Sequence, residues 1–266
     1  TIENILSTIQ ILWNCSPDLE VTLEANPSSV EADRFKSYSI SGVNRLSIGI
    51  QAFNNHDLRK LGRLHTVKDA IKAFDIGKQN FDRVSFDLIY GRQNQTLKMW
   101  EKELTDAINM NPEHISLYHL TIENETRFGE LFKRGKLQGL PNDELSAKFF
   151  NITQEICEKA GYPSYEISNH CKPGGECRHN LIYWNGQDYL GIGPGAHGRL
   201  TMEGTRYRTE NQSNPENWLE KNYKSTRNFS FKSSLTNNEV AKEYIIMAIR
   251  LTKGMDYKYY NKLANT

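Results

Sequence analysis

RVSFDLIYGRQNQTLKMWEKELTDAINMNPEHISLYHLT, residues 83–121, holds two β-rich apolar runs separated by one amphipathic segment. RVSFDLIY (83–90) and HISLYHLT (114–121) carry the branched and aromatic side chains that suit strands. Between them Thr96 offers an N-cap, and Leu97, Trp100, Leu104, Ala107 and Ile108 recur at helical spacing. The helix must stop at Asn111-Pro112, because proline has no N–H for another turn. The stretch therefore predicts strand, helix, strand, with the helix carrying the chain back so that the two strands lie parallel.

The unit repeats on both sides. LEVTLEA (19–25) predicts a strand, followed by a helix that the Ser28–Glu31 capping spacing opens, that runs through Phe35 and that closes near Gly42. NRLSIGI (44–50) predicts the next strand. Its helix starts at Thr66, places Val67, Ala70, Ile71 and Phe74 on one face, and stops at Gly77. Beyond residue 121 a longer excursion precedes a helix over 143–159 that turns Leu145, Phe149, Ile152 and Ile156 to the core. Strand–helix units in series predict an α/β fold: a (β/α) barrel or part of one, its adjacent strands parallel and its helices outside.

Composition narrows the function classes. The chain has 266 residues, 38% of them hydrophobic, so it can bury one sizeable core or two small ones. Lys plus Arg number 33 against 32 Asp plus Glu, which leaves no excess positive charge to drive binding to a phosphate backbone, and no nucleic-acid partner is expected. No apolar run reaches the roughly 20 residues of a membrane helix, so no span is expected and peripheral association stays open. A cytoplasmic address follows by default. Cys15, Cys157, Cys171 and Cys177 are too few and scattered for a disulfide scaffold; Cys157 and Cys15 read as core residues.

Barrels of this kind place chemistry where strands end. The exits here offer Glu24 before Asn26-Pro27, Gln51, Asp87 before Tyr90-Gly91, and Thr121. Taken singly, each is a solvated residue of the kind that caps the next helix. Taken together, one per unit, they predict a shared rim site in which Glu24 and Asp87 bind amino or hydroxyl groups and Gln51 both donates and accepts. Arg63, in KLGRLH, is either a carboxylate-binding fork or an exposed arginine beside a helix start.

LEANP, GVNRLSIGIQAFN, LGRLH, FDLIYG, YEISN, HNLIYW and GIGPGAHGR, in that order, resemble the radical S-adenosylmethionine family of oxygen-independent coproporphyrinogen III oxidase-like proteins, most closely its haem-chaperone branch. The resemblance is strong over about residues 1–200. It implies a partial TIM-type barrel lacking its first units over 1–200, with a C-terminal mixed α+β extension over 201–266 that begins a mostly helical accessory region. It implies S-adenosylmethionine held against a [4Fe-4S] cluster. Glu24 falls on the family's ligand to one adenosylmethionine. Gln51, Arg63, Asp87 and Thr121 fall on contacts to a second in the related oxidases, and His197 on another cofactor contact.

The departures from the family carry weight too. CxxxCxxC and GGGTP, which the family shows ahead of LEANP, occur nowhere in residues 1–266, so the chain is expected to be a fragment or the product of a gene that has lost its first units, unable to ligate the cluster and weak in haem binding. LEVTLEA would then present an unpaired edge, an aggregation hazard. YGRQNQT replaces the family's usual Leu-Pro-Gly turn and reads as a looser turn under relaxed constraint.

CKPGGECRHNLIYW (171–184), with His170 beside it, is a weak match to zinc spacing, and no metal site is assigned to it. HNLIYW matches a motif of the haem-chaperone branch, which makes His179 either a haem contact or a hydrogen-bonded turn histidine organising Tyr183 and Trp184. The resemblance thus implies a haem-binding protein that delivers haem to acceptor proteins. The other readings are a coproporphyrinogen III oxidase and a non-functional remnant that keeps only the fold. Whether the chain is an enzyme stays open.

Overall fold

The computed structural model describes residues 1–28, 32–124, 126–224 and 231–265. The chain forms two compact units, Thr1–Glu176 and Cys177–Thr266, a division that falls earlier than residue 200.

The first unit runs α1 (Ile2–Leu12), β1 (Thr22–Ala25), α2 (Phe35–Ile40), β2 (Arg45–Gln51), α3 (Asn55–Lys60), α4 (Val67–Asn80), β3 (Arg83–Tyr90), α5 (Leu97–Asn109), β4 (His114–His119), α6 (Arg127–Lys133), α7 (Asp143–Lys159), β5 (Ser164–Glu166) and β6 (Asn169–Cys171). Its strands lie in the order β1-β2-β3-β4-β6-β5. The first four are parallel, as the repeated unit requires. β6 adds antiparallel to β4 and carries β5 with it; YEISN forms the turn of this hairpin.

Alternation divides the sheet into two faces. Leu46, Ile48 and Ile50 of β2, Val84, Phe86 and Leu88 of β3, and Ile115 and Leu117 of β4 are buried in one core with Ala70, Ala73 and Phe74 of α4, Trp100 and Leu104 of α5, and Phe149 and Cys157 of α7. Phe74 meets Phe86 edge-on with centroids 5.3 Å apart. The opposite face is polar. Register aligns Glu24 with Ser47, Ser47 with Ser85, and Ser85 with His114, while Asp87 aligns with Ser116. A parallel sheet packed by helices on both sides reads as unbroken apolar runs; strands that alternate polar and apolar line a polar lumen instead.

Local chemistry explains most element ends. Thr66 and Asp69 form a reciprocal capping box that opens α4. Gly77 does not end that helix, which continues to Asn80; a Cβ at 77 would lie 3.0 Å from Leu46 and 3.4 Å from Val84, so the glycine lets helix and sheet close together. α3 was not expected; the Asn54 side chain caps it by accepting from the N–H groups of His56 and Asp57. Of the Ser28–Glu31 capping pair, Glu31 lies outside the described residues, and Gly42, at φ +105°, closes α2. Cys157 is fully buried as expected, whereas Cys15 is only half-buried in the loop after α1 and is not a core residue.

The second unit holds α8 (Arg178–Trp184), β7 (His197–Met202), β8 (Thr205–Glu210), α9 (Pro215–Lys224), β9 (Phe231–Ser234), α10 (Asn237–Ala248) and α11 (Tyr257–Asn265). β7, β8 and β9 form an antiparallel meander, so this unit mixes strands with helices. Among the described residues no helix is long and apolar enough to cross a membrane.

Candidate functional site

Asp87 stands at the centre of the lumen face. The Ser116 and Ser47 hydroxyls lie beside its carboxylate and favour the ionised form, with the Glu24 carboxylate and the Arg45 guanidinium close enough to act on its charge. Desolvation outweighs the hydroxyls and Arg45, and with the Glu24 charge it pushes the Asp87 carboxyl up to about 6. Tyr118, on the same face as Ser116, has its phenol raised to about 12 by desolvation and by the Asp87 charge.

The sign of the stability effect follows. A carboxyl whose folded pKa exceeds its unfolded value favours the folded state fully below about pH 4 and loses that contribution as pH rises through about 6. Asp87→Asn is expected to remove this fall and stabilise the chain by about 2 kcal/mol at neutral pH. Urea unfolding at about pH 4 and about pH 7 reads it, and equal stability differences between variant and wild type at the two values would refute it.

Gln51 reaches the same face by another route. The β2 register breaks between Ile48 and Gln51, and Gln51 takes φ +72°. Its amide folds over Gly49, where a Cβ would come within 2.9 Å of Nε2, so a side chain at 49 would push the Gln51 amide aside. The structure thus brings Glu24, Gln51 and Asp87 to one face of the sheet. Glu24 is exposed there and Gln51 is buried. Thr121 is exposed two residues beyond β4 and donates its hydroxyl to the His119 carbonyl at 3.3 Å. Arg63 is half-buried on the loop between α3 and α4, a loop that His65 ties to the β2 exit through Nε2 and the Ile50 carbonyl, 3.0 Å apart.

The YGRQNQT segment overturns the reading of a loose turn. Arg92 is 4% exposed; its Nη2 lies 3.2 Å from Asp57 and 2.5 Å from Glu103, and its Nη1 donates to the Ile89 carbonyl at 2.7 Å. Gln95 accepts from the N–H groups of Gly91 and Arg92 at 2.8 and 3.2 Å. Glu103, from α5, also accepts the Phe53 N–H at 2.7 Å. One buried ion cluster therefore clamps the exits of β2 and β3 together.

His179 and His197 belong to the second unit. His179 is exposed and its Nε2 lies 2.9 Å from the Tyr183 hydroxyl, with the rings edge-on at 4.8 Å. Tyr183 meets Tyr189 at 4.5 Å and Trp184 at 6.5 Å, so HNLIYW forms an aromatic cluster. His197 opens β7, also exposed.

Iron–sulfur ligation can be tested on the same residues. Among the described residues no group of three His, Cys, Asp or Glu could hold a metal. Burial raises the Cys157 and Cys171 thiols to about 12, far from the thiolate a cluster needs. These residues do not fit a [4Fe-4S] cluster. S-adenosylmethionine does fit the lumen, because its ammonium and sulfonium cations suit a face carrying the carboxylates of Glu24 and Asp87.

The Radical SAM superfamily model matches residues 3–107. In fold, the chain superposes on Escherichia coli coproporphyrinogen III oxidase HemN, described as a radical SAM enzyme, with TM-score 0.78 over all of this chain and 64% of that one, at 19% identity. The fold is thus a partial (β/α) barrel of the radical SAM kind. Heme chaperone HemW of Buchnera aphidicola subsp. Acyrthosiphon pisum is 35% identical over all of this chain and 68% of its own length. HemW of Escherichia coli is 38% identical over 84% of this chain and 58% of its own, and the mitochondrial radical S-adenosyl methionine domain-containing protein 1 of Danio rerio is 32% identical over 98% and 60%. The chain belongs to the HemW family of the radical SAM superfamily. It spans about 60% of the length of the last two of these relatives and 68% of the first.

Proposed function

We propose that the chain acts as a HemW-type haem chaperone, binding S-adenosylmethionine at the lumen rim and holding haem for transfer to acceptor proteins in the cytoplasm. The observation that carries this is the 35% identity to a heme chaperone across the full chain. Glu24 and Asp87 bind the cationic end of adenosylmethionine, Gln51 bonds its polar groups, Arg63 takes its carboxylate, and Thr121 completes the contacts. Bound there, the cofactor brings a sulfonium cation and an amino-acid end; the residues around it orient that end and shield it from water. His179 is the haem contact, held in place by Tyr183. The coproporphyrinogen oxidase reading rests on the fold alone.

Calorimetric titration with adenosylmethionine tests the rim. Binding is expected to strengthen as pH rises through about 6, where Asp87 becomes a carboxylate. In a parallel haem titration, weak binding with a Soret band altered by His179→Ala is expected. Absence of adenosylmethionine binding at any pH would overturn the rim assignment, and identical haem spectra for wild type and H179A would remove His179.

A further inference from the structure

Below Asp87 in the lumen lies a buried arginine that the cofactor assignment does not use. Arg45 is 3% exposed and its Nη2 donates to the Ser85 hydroxyl at 3.0 Å. Ser85, fully buried, donates to the Ser47 hydroxyl at 3.1 Å, and Ser47 faces the Asp87 carboxylate, whose ionised form it favours. We propose that Arg45 is a positioning residue for Asp87, holding it as an oriented carboxylate through the Ser85–Ser47 relay and so setting the pH range in which the rim binds its cationic ligand. The functional half of this inference rests on the reading that Asp87 contacts adenosylmethionine.

The direction of the relay follows from counting protons. A guanidinium only donates, so Ser85 must accept from it; the one Ser85 proton has the Ser47 hydroxyl at 3.1 Å and the Leu46 carbonyl at 3.5 Å as acceptors, and the shorter contact leaves Ser47 its own proton to turn toward Asp87. Every dipole points the same way and ends on an acceptor, which favours the ionised carboxyl. Burial of Arg45, Ser47 and Ser85 keeps water from breaking the order and lets each bond polarise the next. Other groups face Asp87 too. Glu24 from β1 repels its charge, Ser116 from β4 donates to it, Tyr118 lies beside it, and Glu166 at the end of β5 acts on Tyr118. Arg45 is the cation among those acting on Asp87, so its loss lets desolvation and Glu24 raise the carboxyl further.

Carbon-13 NMR of the Asp87 carboxyl reads the relay without any ligand. Arg45→Met is expected to move the titration midpoint from about 6 to about 7, and Ser85→Ala, which keeps Arg45, to move it upward by less. Adenosylmethionine binding by R45M should fall about threefold at about pH 6.5 and recover above about pH 8.5, whereas a merely structural loss would weaken binding equally at every pH. An unchanged midpoint in both folded variants overturns the proposal; if R45M does not fold, an unchanged midpoint in S85A overturns it alone. A wild type that binds no adenosylmethionine while the NMR shift appears sinks the cofactor reading and leaves the relay standing.

Discussion

Arg92→Met is expected to lower the unfolding free energy by about 3–5 kcal/mol, because it strands two buried carboxylates. Asp57 is 7% exposed and Glu103 is 8% exposed, and both meet the Arg92 guanidinium. Methionine matches the arginine stem in bulk, so the loss measures the missing charge more than a cavity. A second effect travels further. Arg92 holds Glu103, and Glu103 holds the Phe53 N–H just past Gln51, so the β2 exit should loosen together with the β3 exit. Chemical denaturation of R92M, E103L and the double variant checks this. The double variant should lose less than the sum of the singles, since removing both partners leaves fewer unpaired charges than removing one. Additive losses, or a cost for R92M under about 1 kcal/mol, would mean that the cluster is solvated and does not clamp the rim.

This cluster marks the limit of what the sequence makes legible. Asp57, Arg92 and Glu103 are far apart in the chain and each has the look of an ordinary surface charge; only the fold makes them neighbours. Gly77 misleads for a related reason. A glycine near a helix end reads as a stop, and the actual cause, close approach of Leu46, comes from another strand. The β5–β6 hairpin is missed because strands of three residues show no periodicity. By contrast the parallel strands were legible, since RLSIGIQ, RVSFDLIY and HISLYH each end one strand–helix unit and begin the next. That Glu24 and Asp87 share one face of the sheet was legible from strand position alone. Their support was not. Arg45, Ser47, Ser85 and Ser116 sit at alternate positions in those same strands, and that polar alternation, unusual where helices cover a parallel sheet, was the available signal for a polar lumen.

The other large effect lies on the apolar side of the same strand. Trp100 is fully buried on α5, stacks on Tyr90 with centroids 5.1 Å apart, and donates its Nε1–H to the Thr153 hydroxyl of α7 at 2.8 Å. Thr153 passes its own proton to the Phe149 carbonyl at 2.7 Å. One side chain thus joins α5, α7 and the end of β3, three residues from Asp87. Trp100→Ala is expected to cost about 3–5 kcal/mol, from lost burial and from a cavity bounded by helices that cannot both close in. Trp100→Phe separates the causes. It keeps much of the ring contact with Tyr90 and leaves the Thr153 hydroxyl bonded to Phe149, so its cost should be about 1–2 kcal/mol, the smaller ring plus one hydrogen bond. Urea midpoints for the two variants give the ratio directly. If W100F costs as much as W100A, the indole hydrogen bond rather than packing joins the helices. If W100A costs less than about 2 kcal/mol, α5 and α7 can collapse onto each other and the exit of β3 is not braced from behind.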